Sequence, residues 1–241
     1  MNFFYTPVEY IDEQKRELQL TGEEAHHLIN VLRYQTGQEV DVVDGEGKHF
    51  TGTISLIRKK EVWVDIHSLN QQTGSLTSLA LGVIKNRQRL EYAIEKAVEM
   101  GAARILLFDA MNSEKSKVRL SRIRKIVLSA MKQSLRAHLP EVQFYQSLGK
   151  VIERQKEETF LVAHEKSNPI AQNPVDWSEI RRLPHTVFIG PEGGFADEEI
   201  RQLGGDHGAY IVYLGKARLR TETAVVATLS QFLPFNIDTY E

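Results

Sequence analysis

The sequence of 241 residues contains no cysteine. This absence excludes disulfide bonds, thiolate catalysis and cysteine-based zinc sites, and it suits a reducing compartment. No apolar run reaches the roughly 18 residues of a membrane-spanning helix. The first residues also lack the basic start and the apolar core of a signal peptide. We therefore expect a cytoplasmic protein that does not cross a membrane.

Several well-known catalytic motifs are also missing. Gly215-Lys216 is followed by Ala217 rather than Ser or Thr, so it is not a Walker A sequence. The patterns G-x-G-x-x-G, H-E-x-x-H and G-x-S-x-G do not occur either. These absences disfavour nucleoside triphosphate hydrolysis, zinc proteolysis and serine-hydrolase chemistry, and no metal site is predicted.

The charges nearly balance, since 30 Lys and Arg face 32 Asp and Glu for a formal net charge of −2. A surface for nucleic acid must therefore be a local patch rather than the whole molecule. With 41% hydrophobic and 26% charged residues, the composition is that of an ordinary globular protein.

The first 70 residues predict a small β-barrel or sandwich with one short helix. Thr21-Gly22-Glu23-Glu24 matches a capping box at the start of that helix. Alternating apolar residues then follow, with a hairpin signal at Asp44-Gly45 and a basic turn at Arg58-Lys59-Lys60. The polar stretch 71–77 reads as a linker.

Residues 78–241 predict a second domain of a different class. Buried apolar runs, such as Leu79–Ile84 and Thr159–Ala163, alternate with amphipathic segments of helical period. Alternation of strands and helices is typical of an α/β fold with a mostly parallel sheet.

Two glycine corners stand out in this second domain. The strand Thr186–Ile189 breaks into Gly190-Pro191-Glu192-Gly193-Gly194-Phe195 before a new helix. The strand Tyr210–Leu214 breaks at Gly215 before a helix that Thr221 would cap. If the two strands are neighbours, the corners face one another at the carboxyl edge of the sheet, where ligands bind in α/β proteins. The alternative is that the glycines only make tight turns.

A basic segment from Glu114 to Arg136 holds eight Lys and Arg against one Glu. Such a segment is either a solvated helix face or a phosphate-binding surface. Arg122, Arg124 and Arg136 are its candidate RNA contacts. His26, Arg33 and the basic turn are weaker candidates in the first domain, because adjacent histidines at a helix flank are commonly surface residues.

Several motifs together resemble the RsmE family, which methylates N3 of a uridine in 16S ribosomal RNA of the small subunit with S-adenosylmethionine. They are the two glycine corners, the second extended to Leu219-Arg220-Thr221-Glu222-Thr223-Ala224, with His26-His27-x-x-x-Val31-Leu32-Arg33, Glu95-Lys96-x-x-Glu99-x-Gly101, Ser113-Glu114-x-Ser116 and Gln133-Ser134-x-Arg136. The chain departs from the family pattern at Leu135, where glycine is usual, at Ala196-Asp197, where Ser-Pro is common, and at Asn2, where arginine is frequent.

The resemblance implies a PUA-like N-terminal barrel, a C-terminal SPOUT methyltransferase domain with a trefoil knot, and a homodimer. Topology rules alone would argue against a knot. The implied cofactor is S-adenosylmethionine, with no metal. The implied cofactor-binding residues are Val162, Ala163, His164, Glu165, Gly190, Pro191, Glu192, Gly193, Leu214, Gly215, Leu219 and Arg220.

Two residues are candidates for catalysis. A guanidinium beside the uridine would stabilise the form that has lost its N3 proton, and Arg220 is our choice for this role. Alternatively, Arg220 only forms an ion pair with Glu192 or Glu222. Glu192 is either the proton acceptor or a group that orders backbone amides.

Two other classes of function stay open at this point. The first is a non-enzymatic RNA-binding or ribosome-assembly protein, which would not bind the cofactor. The second is a SPOUT methyltransferase with a different RNA target, because a fold and a cofactor site do not fix the acceptor.

Overall fold

The computed structural model describes residues 3–114, 117–155, 158–164 and 177–233. It divides into a first unit, Met1–Gly74 with Leu128–Leu139, and a second unit, Ser75–Val127 with Pro140–Glu241. The segment Leu128–Leu139 thus groups with the first unit, whereas the sequence prediction put it in the second domain. No helix in the described ranges is both long and apolar enough to cross a membrane.

Six strands form one sheet in the first unit, in the order β1-β4-β5-β6-β3-β2. They are β1 Phe3–Tyr5, β2 Ile11–Asp12, β3 Glu17–Thr21, β4 Glu39–Val43, β5 Lys48–Arg58 and β6 Glu61–Gln71. Alternate apolar side chains along these strands, such as Leu18, Val42 and Ile54, are buried in one core. The predicted meander β4-β5-β6 is confirmed. The sequence prediction missed β2 and β3, where polar residues separate the few apolar ones.

The short helix α1, Gly22–His26, continues as a π-helical turn over His27–Val31. The predicted capping box is wrong, because the Thr21 side chain makes no cap hydrogen bond. Glu24 instead accepts a hydrogen bond from the backbone N–H of Tyr5 at 3.2 Å and forms an ion pair with Lys132. Glu24 therefore fastens the helix to β1 and to the segment Leu128–Leu139.

The second unit contains a six-stranded sheet whose neighbours are all parallel, in the order β12-β10-β11-β7-β8-β9. Its strands are β7 Thr77–Gly82, β8 Arg104–Phe108, β9 Glu141–Tyr145, β10 Thr159–Ala163, β11 His185–Ile189 and β12 Tyr210–Val212. Its helices are α2 Arg87–Glu99, α3 Leu120–Gln133, which runs on into the first unit, α4 Leu148–Gln155, α5 Trp177–Ile180, α6 Asp197–Arg201 and α7 Thr221–Leu229. The predicted α/β class is confirmed. The trefoil knot stays a prediction.

Two helices of this unit place residues at the site described below. Asn86 caps α2 by accepting a hydrogen bond from the backbone N–H of Arg89 at 3.1 Å. The apolar face of α2, including Leu90 and Ile94, is buried. Helix α7 begins one residue earlier than predicted, because its N-cap is Arg220 and Thr221 is already helical. A local side-chain cap therefore sets the start of α2, whereas α7 begins without a side-chain cap hydrogen bond.

Helix α3 ends in a turn that forces Leu135 into a left-handed conformation, with φ of 56°. The backbone N–H of Arg136 donates to the carbonyl of Met131 at 3.0 Å, and that of Leu135 donates to the carbonyl of Lys132 at 3.2 Å. These two bonds are the Schellman pattern, which favours glycine at the position that Leu135 occupies. Leu135 therefore occupies a position whose left-handed backbone conformation suits the glycine of the family pattern.

We expect Leu135→Gly to have a free energy of unfolding about 1 kcal/mol higher than that of Leu135→Ala, because glycine removes the strain of a left-handed L-residue. Leu135 is 38% exposed, so both variants lose similar apolar burial relative to leucine, and this loss cancels between them. Leu135→Ala is the matched control, since it removes the same side chain but keeps the Cβ. Urea unfolding measures the free energy of unfolding of both variants. Equal values for the two would contradict backbone strain at position 135.

Candidate active site

A cavity of about 850 Å³ opens in the second unit where β10, β11 and β12 end. Both glycine corners line it. The predicted cofactor residues found on its walls are Ala163, His164, Gly190, Pro191, Glu192, Gly193, Leu214, Gly215, Leu219 and Arg220. Val162 is instead buried in the core beside the cavity, and Glu165 lies outside the described residues.

The register of the sheet explains why the corners meet. The sequence suggested that the corners would face one another if their strands were neighbours. The two strands are not direct neighbours, because β10 lies between them. Ala163 at the end of β10 is level with Ile189 of β11 on one side and with Val212 of β12 on the other. All three strands therefore end at one edge, and each contributes its next residues to the same cavity.

Two glycines are required by the geometry of the corners. A Cβ at Gly193 would lie 2.9 Å from the carbonyl oxygen of Asn112, so no side chain fits there without a shift of the backbone. Gly215 has a φ of 107°, which L-residues rarely adopt. Both corners thus bring backbone close to whatever fills the cavity.

A buried carboxylate fixes the first corner. Glu199 accepts a hydrogen bond from the backbone N–H of Met111 at 3.0 Å and another from that of Ala196 at 2.9 Å. It therefore satisfies the start of α6, although Ala196 has no side-chain oxygen. The replacement of the common Ser-Pro start is compensated in this way.

Arg89 contacts Glu192 and Glu222, the two carboxylates named above as alternative partners of Arg220. Its Nε and Nη2 donate to Oε1 and Oε2 of Glu222 at 2.9 and 2.7 Å, and its Nη1 lies 3.5 Å from Oε1 of Glu192. Hydrogen bonding to Arg89 lowers the pKa of Glu222, and the same contact raises the pKa of Arg89. Neither carboxylate lies within 4 Å of Arg220, so the alternative in which Arg220 pairs with Glu192 or Glu222 is not the arrangement of the described residues.

The Arg220 side chain lies on the cavity wall and is exposed. Within the part of the chain that the structure describes, no carboxylate lies within 4 Å of its guanidinium. Its charge nevertheless contributes to lowering the pKa of Glu222. Of the arginines that line the cavity, Arg89 is thus engaged by carboxylates, whereas Arg220 has no carboxylate within 4 Å among the described residues.

Sequence reasoning missed Arg89, although a signal was present. Lys85-Asn86-Arg87-Gln88-Arg89 follows the apolar run of β7 and opens α2, so it is a third strand-to-helix corner, and it is rich in basic residues. Such a corner at the end of a parallel strand reaches the same sheet edge as the glycine corners.

The predicted RNA contacts differ in their surroundings. In the second unit, both guanidinium arms of Arg122 contact Glu91, while Arg124 is exposed. Hydrogen bonding to Arg122 is the main cause that lowers the pKa of Glu91 to about 2. In the first unit, His26 and Arg33 are exposed, whereas Arg136 is half-buried and burial lowers its pKa.

No three His, Asp or Glu side chains in the described ranges are grouped so that they could share a metal ion. The polar groups that line the cavity include backbone amides and carbonyls of the corners and the side chains of Arg89, Glu192 and Arg220.

Comparison with known proteins covers both units. Residues 72–233 match the RNA methyltransferase domain family, and residues 20–66 match the RNA methyltransferase PUA domain family. The ribosomal RNA small subunit methyltransferase E of Bacillus subtilis is 28% identical over 232 residues, which is 90% of each chain. That of Mycobacterium bovis is 30% identical over 222 residues, covering 86% of this chain and 82% of its own.

A solved structure agrees with these matches. The ribosomal RNA small subunit methyltransferase E of Neisseria gonorrhoeae, bound to S-adenosylmethionine, superposes with a TM-score of 0.77 at 26% identity and covers 95% of both chains. The family matches over residues 20–66 and 72–233 agree with the relatives and with this structure, which covers 95% of the chain. The protein therefore belongs to the RNA methyltransferase family, among the ribosomal RNA small subunit methyltransferase E proteins.

Proposed function

We propose that the protein transfers the methyl group of S-adenosylmethionine to N3 of a uridine in 16S ribosomal RNA. One observation carries the proposal. Two glycine corners and the end of β10 form a single cavity in a chain that belongs to the RNA methyltransferase family over nearly its whole length. Ribosomal RNA as substrate also implies the cytoplasm as the compartment.

The cavity fits the cofactor. Its volume of about 850 Å³ lies within the range of about 300–1,000 Å³ that is typical of small-molecule sites. Gly190, Gly193 and Gly215 allow close approach of backbone groups, and His164 and Leu214 complete the wall. S-adenosylmethionine bound there supplies an activated methyl group, so that neither a metal nor a covalent intermediate is needed.

The protein must then align the acceptor nitrogen and make it nucleophilic. Arg220 stabilises negative charge on the carbonyl oxygens that flank N3, which favours loss of the N3 proton. Glu192 lies on the same wall and is the candidate acceptor of that proton. The target uridine is read as an unpaired or flipped-out base, because N3 is otherwise engaged in pairing.

The RNA surface is assigned to basic residues of both units. His26 and Arg33 of the PUA-like unit and Arg122, Arg124 and Arg136 from the basic segment contact RNA. Arg124 is the strongest candidate among the last three, since Arg122 contacts Glu91 and Arg136 is half-buried. We also propose that the protein acts as a homodimer, which sedimentation analysis tests directly.

We expect Arg124→Gln to weaken RNA binding and to reduce the slope of log K against log salt by about 1, because one phosphate contact is lost. Arg122→Gln is the matched control on the same helix. It should change the slope less, since Arg122 already contacts Glu91. A salt titration in which Arg124→Gln leaves the slope unchanged would reject this contact.

The proposed reaction is tested by incubating the purified protein with labelled S-adenosylmethionine and either free 16S ribosomal RNA or small ribosomal subunits. We expect label in RNA and its recovery as 3-methyluridine after digestion. Label recovered in another nucleoside would indicate a different target. Cofactor binding with no label in either substrate would contradict the proposed acceptor.

A further inference from the structure

Arg89 contacts two carboxylates, Glu222 and Glu192, and lines the same cavity as Arg220, the cation that we assign to catalysis. We propose that Arg89 is a positioning residue that holds Glu222 and Glu192 so that Arg220 stays available to the uridine. This inference rests on the proposed function, because Arg220 needs to stay available only if it acts on the uridine; among the described residues, it has no carboxylate within 4 Å.

The contacts of Arg89 support this role. Both oxygens of Glu222 are engaged at 2.9 and 2.7 Å, and Glu192 is reached at 3.5 Å by the remaining nitrogen of the guanidinium. Only a planar fork satisfies two oxygens of one carboxylate and still reaches a second one. Lysine has one charged atom and would not reproduce this arrangement.

Glu222 would otherwise compete for Arg220. It is two residues further along the chain, in the first turn of α7, and only 9% of its surface is exposed. A buried carboxylate that loses its partner strongly destabilises the folded protein, so an ion pair with another nearby cation becomes favourable. Arg220 is the candidate cation, since it is the N-cap residue of α7, two positions before Glu222, and its charge already acts on that carboxylate.

The fold holds Arg89 in place for this purpose. Its backbone N–H is bound by Asn86 at the start of α2, and α2 packs against α7, which carries Glu222. The donor and the acceptor thus come from two helices whose first turns meet at the cavity. Arg89 thus holds the carboxylates of Glu222 and Glu192 in place before a ligand enters the cavity, so the site is preorganised.

Kinetics of three variants test the inference. Arg89→Met should lower kcat by about 100-fold, because Arg220 is drawn onto Glu222 and away from its position, while KM for RNA and affinity for S-adenosylhomocysteine change only a few-fold. Adding Glu222→Gln should restore most of kcat, since no carboxylate then captures Arg220. Arg89→Lys should lie between wild type and Arg89→Met. A double variant no better than Arg89→Met would overturn the proposal.

A spectroscopic measurement makes the test independent of turnover. The Nε–H signal of Arg220 should exchange quickly with water in the wild type, become protected in Arg89→Met, and exchange quickly again when Glu222→Gln is added. Unchanged Arg220 signals in Arg89→Met, with the thermal unfolding midpoint merely lowered, would show that Arg89 is only structural. Because this readout needs no RNA substrate, its failure is distinct from a failure of the proposed methylation.

Discussion

Replacing Arg220 with alanine is expected to lower turnover by at least about 100-fold while affinity for S-adenosylmethionine stays within a few-fold. A preorganised donor aimed at developing negative charge contributes an effect of this size when it is removed. Arg220 is the N-cap of α7, but its side chain makes no cap hydrogen bond, so the substitution does not uncap the helix. Single-turnover methylation and calorimetric titration measure the two quantities.

Arg220→Lys is the matched variant, since it keeps the charge and loses the planar guanidinium. We expect it to retain part of the activity, because a point charge stabilises one carbonyl oxygen less well than a fork that spans the base. Loss of cofactor binding in Arg220→Ala would contradict the catalytic role and would make Arg220 part of the cofactor site alone.

Gly193→Val is expected to weaken binding of S-adenosylhomocysteine by about 100-fold, which corresponds to an overpacking cost of up to about 3 kcal/mol. The reason is steric. Even the Cβ would lie 2.9 Å from the carbonyl oxygen of Asn112, and the side chain of Asn112 also donates to the carbonyl of Gly193 at 3.3 Å. The corner must therefore shift, and the cavity wall shifts with it.

Gly204→Val is the control for this change. Gly204 follows α6, and a Cβ there meets no atom within 4 Å, so the same substitution costs no packing. We expect its calorimetric isotherm to match the wild type. Equal affinities in Gly193→Val and the wild type, with both folded, would contradict the assignment of the first corner to the cofactor site.

Much of the second unit was predictable because its signals are local. The strand β11 is buried at every position and ends in the apolar run Val187–Ile189, and the glycine that breaks it marks the turn at its carboxyl end. The two corners were therefore found from the sequence. Their spatial relation could not be predicted, because crossovers between distant segments set the order of the strands. In the sheet, β10 lies between β11 and β12.

The ion pairs of the site could not be predicted for a related reason. Arg89 and Glu222 are 133 residues apart and meet only through the packing of α2 against α7, so proximity along the chain favoured Arg220 as the partner. The left-handed conformation of Leu135 could not be predicted either, because a leucine in the sequence does not indicate a left-handed turn. The strand β9 was missed because polar residues interrupt it.

The proposed methylation of uridine N3 is tested most directly by measuring the modified nucleosides of 16S ribosomal RNA from cells in which the gene for this protein is deleted. We expect mass spectrometry to show the loss of one 3-methyluridine per RNA, its return when the wild-type protein is supplied, and no return with Arg220→Ala. Unchanged 3-methyluridine after deletion, or loss of a different modified nucleoside, would contradict the proposed reaction.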